Sequence, residues 1–161
     1  MSSFSRRSLI LLPVALAACG FAPVYGPGGA GSALYGKVAL VAPANEESYL
    51  LYRNLEERLG RAETPAFRLA LTPSIERQGQ AVTATGEITR FSMIGRATFS
   101  LHDLSDDSVV TSGNVENFTG YSATGSTIET FAARNDALER LMTIMADQIV
   151  ARLYASVSLP E

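Results

Sequence analysis

Residues 126–153 read STIETFAARNDALERLMTIMADQIVARL. Ser126-Thr127-Ile128-Glu129 has the spacing of a capping box, in which the serine hydroxyl and the glutamate carboxylate each take a free N–H at a helix start. Leu138, Met142, Met145, Ile149 and Leu153 follow at steps of four, three, four and four, which makes one apolar stripe on a helix. Asp136, Glu139, Arg140, Asp147 and Arg152 fall mostly on the other side. The spacing predicts a helix about 30 residues long, with Met142 and Met145 as core fillers rather than a ligand box. So long an amphipathic helix needs an apolar surface to cover.

The upstream residues supply it with a period of two. Phe67, Leu69 and Leu71 alternate with Arg68 and Ala70, and Pro73 places the far end of that strand at a sheet edge or bulge. Arg77-Gln78-Gly79-Gln80 reads as a turn. Residues 82–91, rich in Thr and Ile, place Ala84, Gly86 and Ile88 on one side. Met93, Ala97, Phe99 and Leu101 then face one way, and Arg96, Thr98 and Ser100 the other. Residues 105–108 (SDDS) form a polar turn. Residues 109–121 are a further strand in which Gly113 and Gly120 mark bulges.

Nearer the start, residues 35–41 (YGKVALV) read as a first strand closed by Pro43. Asn45 caps a helix over residues 46–59, whose Leu51, Leu55 and Leu59 make one stripe and which Gly60 ends. The resulting order is β-α-β-β-β-α. It predicts an α+β fold, a four-stranded, mainly antiparallel sheet with both helices packed on one face.

The chain has 161 residues, 47% hydrophobic and 18% charged, which suits one domain. Its start has a different character. Arg6 and Arg7 precede the apolar run LILLPVALAA at residues 9–18, about half the ~20 residues that a membrane-spanning helix needs. A basic start, a short apolar middle and small residues at the end mark a secretory signal. Leu16-Ala17-Ala18-Cys19 matches the bacterial lipobox, which implies cleavage before Cys19 and acylation of its thiol. The expected divisions are a signal at 1–18, a lipid-anchored flexible tether at 19–34 and a single domain at 35–161.

Composition excludes several chemistries. One cysteine permits neither a disulfide framework nor a Cys-cluster zinc site, and one histidine rules out HExxH chemistry. Thirteen basic against 16 acidic residues give −3, and loss of Arg6 and Arg7 leaves 11 against 16, or −5. That disfavours a nucleic-acid partner. Gly31-Ser32-Ala33-Leu34-Tyr35-Gly36-Lys37-Val38 nearly spells a P-loop, but Val38 has no hydroxyl and the stretch enters a strand rather than a helix. His102 reads as a surface loop residue, and Asp106 and Asp107 as turn residues. No catalytic or metal-binding residue is expected, and no cofactor.

Charge is unevenly spread. Residues 68–101 hold four arginines (68, 77, 90, 96) against Glu76 and Glu87, whereas residues 102–161 hold three arginines against nine acids. The central strands are the basic part of an acidic chain, and the guanidinium's planar fork suits phosphate or carboxylate.

Cys19-Gly20-Phe21-Ala22-Pro23-Val24-Tyr25-Gly26 is similar to the CGFxPxYG start of alphaproteobacterial LptE-type lipoproteins. Shorter matches follow in order at Ser112-Gly113-Asn114-Val115, Phe118, Tyr121, Ala133-Arg134-Asn135-Asp136-Ala137, Ala146-Asp147-Gln148-Ile149 and Arg152-Leu153. The resemblance implies two helices on a four-stranded sheet, no catalysis, and a place at the periplasmic face of the outer membrane through acylated Cys19. It implies an LptD-type β-barrel as partner, whose lumen the domain plugs, and lipopolysaccharide as ligand. Arg77, Arg90 and Arg96 are then the candidate contacts to the anionic glycolipid. A reading from another class is a lipid-tethered adaptor of a different secretion or cell-wall machine, without a lipid ligand.

Overall fold

The computed structural model describes residues 24, 26, 29–43 and 45–157. The signal, Cys19 and most of the residues expected as tether lie outside them. The elements are α1 (Ala30–Leu34), β1 (Val38–Leu40), α2 (Glu46–Leu59), β2 (Phe67–Val82), β3 (Ile88–Asp103), β4 (Val109–Ser122) and α3 (Thr127–Ser156). The sheet order is β1-β2-β3-β4. β1 runs parallel to β2 across the α2 crossover, and the other two pairings are antiparallel.

The fold class read from the sequence holds. Asn45 accepts from the Ser48 N–H at 2.8 Å, and Ser126 and Glu129 form the expected reciprocal cap. Leu138, Met142, Met145, Ile149 and Leu153 are all buried. They join Leu51, Leu55 and Leu59 of α2 and Leu69, Met93, Ala97, Phe99, Leu101 and Val115 of the sheet in one core. The odd-numbered strand residues face the helices, and the even-numbered ones form an open, polar face.

Three local readings need correction, while the edge expected at Pro73 holds. Arg77–Gln80 is not a turn, because β2 runs through it paired with residues 91–93 and beyond. The reversal falls at residues 83–87, where Gly86 takes φ 88°, a left-handed conformation that glycine adopts without strain. Thr83 N–H donates to Glu87 O at 2.9 Å across it. Pro73 sits in mid-strand, opposite Ala97, past the short β1, so its missing N–H lies on an open edge. Gly113 and Gly120 are not bulges. The β3–β4 register breaks only between Leu101 and His102, and a Cβ on Gly113 would lie 2.9 Å from the Phe99 ring. Finally, residues 35–37 are a turn rather than strand, and residues 30–34, read as the end of a flexible tether, are helical, with Leu34 fully buried.

At ~3.4 Å per residue the 16-residue β3 is about 50 Å long. The molecule therefore has two ends. The near end holds α1, β1 and the C-termini of α2 and α3. The far end holds the β2–β3 hairpin and the entry into α3.

Candidate functional site

The three arginines singled out from the sequence do not converge. Arg96 is on the open face, between two carboxylates: Nε donates to Glu116 at 2.7 Å and a terminal nitrogen to Glu76 at 3.2 Å. Hydrogen bonds to these carboxylates push its pKa up, Glu116 most, and the Glu76 carboxyl is held below its ordinary range by Gln78 and then Arg96. Arg90 shares that face six residues away, about 20 Å along the strand. Arg77 pairs with Met93 and so faces the helices.

Arg77 instead marks a site at the far end. Its guanidinium lies 4.9 Å over the Phe91 ring, which stacks on Tyr121 with centroids 5.3 Å apart. A cation on an aromatic face is held by the ring's quadrupole. Tyr121, Thr127, Thr130, Phe131 and Arg134 complete a half-open cavity of about 360 Å³. Phe131 is 60% exposed and Ile128 beside it 81%. Two guanidinium groups thus border apolar, aromatic surface, an arrangement that suits a phosphorylated amphiphile. Arg134 was singled out only within the stretch Ala133–Ala137 that resembles the family and Phe131 only as a residue of a helix start, and nothing in the spacing linked them to Arg77.

His102 is a strand residue with a side chain 20% exposed, not a loop residue. Ser100 Oγ lies 3.0 Å from Nε2, and Asp107 Oδ1 3.8 Å from Nδ1. The order matches a Ser-His-Asp triad, but 3.8 Å is beyond hydrogen-bond range. Asp107 is taken by Arg68 at 2.5 Å. Ser100 is in a central strand between Ala70 and Ser112, so the neighbouring N–H groups are committed to the ladder rather than poised for an oxyanion. Among the described residues, no cluster of three or more His, Cys, Asp or Glu could hold a metal. None of the described helices is long and apolar enough to cross a membrane.

Two long helices covering one face of a mixed sheet, with the other face and the far end left open, define an α+β domain that presents surfaces. Residues 35–153 match LptE, the lipopolysaccharide-assembly family, and the chain belongs to it. That family is non-enzymatic. No curated protein sequence matches the chain significantly. Among solved structures, it resembles a lipoprotein of Caulobacter crescentus CB15 at TM-score 0.68 and 24% identity, covering 81% of this chain and 96% of that one. Rare lipoprotein B from Shewanella oneidensis follows at 0.57 and 15%, covering 74% and 92%. A minor lipoprotein from Acinetobacter baumannii gives 0.56 and 17%, covering 78% and 98%. At these identities the likeness establishes the fold.

Proposed function

We propose that this lipopolysaccharide-assembly lipoprotein is held at the periplasmic face of the outer membrane by acyl chains on Cys19. There it partners an LptD-type β-barrel, plugs its lumen and binds lipopolysaccharide on the way to the surface. The observation that carries the ligand reading is the far-end pairing of Arg77 and Arg134 with Phe91, Tyr121 and Phe131. A phosphorylated, acylated glycolipid needs both halves, cationic donors for phosphate and apolar surface for chains. The polar open face, with its Ser, Thr, Gln and Asn side chains, supports the plug reading, because a barrel lumen is polar.

Affinity purification of the tagged lipoprotein from its own envelope tests the partnership. Recovery of a large outer-membrane β-barrel is the expected result. Its absence, with another envelope complex recovered instead, would favour the adaptor reading.

A further inference from the structure

We propose that the open sheet face carries a groove for a neutral saccharide ring, walled by Phe118 and Ile94. Two neighbouring cross-strand rows build it. Glu76, Ile94 and Phe118 form one row, and Gln78, Ser92 and Gly120 the next. The second row is low, with a small side chain at Ser92 and none at Gly120. The step between the rows is a trough of about 340 Å³. Phe118 is 70% exposed, beside Ile94, on a face rich in hydroxyls and amides.

The rim is fixed in place. Gln78 Nε2 donates to Glu76 at 2.8 Å, Arg96 donates to Glu76 at 3.2 Å, and Arg96 donates to Glu116 at 2.7 Å. Asn117 Oδ1 accepts from the Phe118 N–H at 2.8 Å, which leaves its NH₂ as a donor. Such preorganisation lowers the ordering cost of binding.

Lining chemistry selects the ligand class. An anion would meet the Glu116 carboxylate, which already holds Arg96. An acyl chain would strip water from amides without replacing it. Sugar hydroxyls both donate and accept, as amides do, and the electron-rich face of a phenyl ring attracts the C–H face of a pyranose. This site lies apart from the Arg77–Arg134 end and rests on the lipopolysaccharide reading only for the choice of probe.

The test titrates the detergent-solubilised lipoprotein with lipid-free core oligosaccharide. Saturable binding is expected, weakened about tenfold by Phe118→Ala and weakened by Gln78→Ala. Phe118 and Gln78 are exposed, so unchanged thermal melting of both variants will show that they fold. No saturable binding to the wild type, or equal binding by Phe118→Ala, overturns the assignment. If the oligosaccharide fails to bind but Phe118→Ala loses capture of the β-barrel, the groove docks protein and the assignment also falls. Oligosaccharide binding without lipid A binding supports the groove and sinks the far-end reading alone.

Discussion

Gly95 of β3 lies directly under Met145 of α3: a Cβ on Gly95 would stand 2.5 Å from Met145 Sδ and 3.1 Å from Leu141 Cδ2. The missing side chain is what lets the helix settle on the sheet at this height. Gly95→Ala should therefore overpack the core and destabilise by ~1–3 kcal/mol. Met145→Ala alone should cost ~2–5 kcal/mol by leaving a cavity. The double variant should lose less than the sum, since the new methyl enters the vacated space. Denaturant unfolding of the four proteins measures this coupling, and simple additivity would refute the contact.

Ser126 and Glu129 cap α3, with the Ser126 N–H donating to the carboxylate at 2.7 Å and Ser126 Oγ accepting from the Glu129 N–H at 3.3 Å. Ser126→Ala should cost ~1 kcal/mol. The same N–H holds the Glu129 carboxyl below its ordinary value. A folded pKa below the unfolded one means that the contribution is complete above the usual carboxylate range and fades as pH falls through the folded value. Thermal melting against pH should show an acid-side decline that is shallower in Glu129→Gln. Identical profiles would refute the cap's electrostatic part.

Both caps, both apolar stripes and the fold class were legible because each depends on neighbours within four residues. The hairpin was misplaced because Arg77–Gln80 is polar on both faces at the strand's exposed end, while the reversal depends on one left-handed glycine, Gly86, in a Thr-rich stretch. Gly113 looked like a bulge because its reason, the Phe99 ring, sits on another strand. The candidate site was legible in part. Composition pointed to sheet arginines, but parity alone separates Arg77, on the helix side, from Arg90 and Arg96. The partners of Arg77 come from β3, β4 and α3, which only the tertiary fold unites.

Asn54 of α2 is buried and joins the helices. Its NH₂ donates to Leu50 O at 2.8 Å, and its Oδ1 accepts from Thr143 of α3 at 3.2 Å. Asn54→Ala should cost ~1–3 kcal/mol, since it removes at once the buried amide's bonds to Leu50 O, Thr143 and the Arg58 guanidinium. Thr143→Ala should cost less, because Asn54 Oδ1 keeps the Arg58 guanidinium at 3.3 Å as a donor. The adjoining Arg58–Asp147 pair, with Asp147 59% exposed, should matter less than Asn54. Equilibrium unfolding gives the ranking, and Asp147→Asn costing more than Asn54→Ala would contradict it.

Charge reversal separates the far end from the sheet triad. Arg77→Glu with Arg134→Glu should weaken lipopolysaccharide binding by at least about tenfold, as loss of charge-assisted bonds would. Arg96→Ala should change it by less than about twofold, since Arg96 already holds Glu76 and Glu116. Titration of the detergent-solubilised lipoprotein with lipopolysaccharide decides the matter. A larger loss for Arg96→Ala would move the site to the open face.

Cys19 supplies the last prediction, because the membrane attachment proposed for this chain depends on it. One acyl chain binds a bilayer marginally and two hold it stably, at ~0.8 kcal/mol per buried methylene. Labelled palmitate should enter the wild-type protein and not Cys19→Ala. The variant should accumulate as a precursor still carrying residues 1–18, seen by mass spectrometry of its N-terminal peptide. Label on Cys19→Ala, or a wild-type protein whose terminus is an unmodified Met1, would remove the anchor and with it the outer-membrane placement.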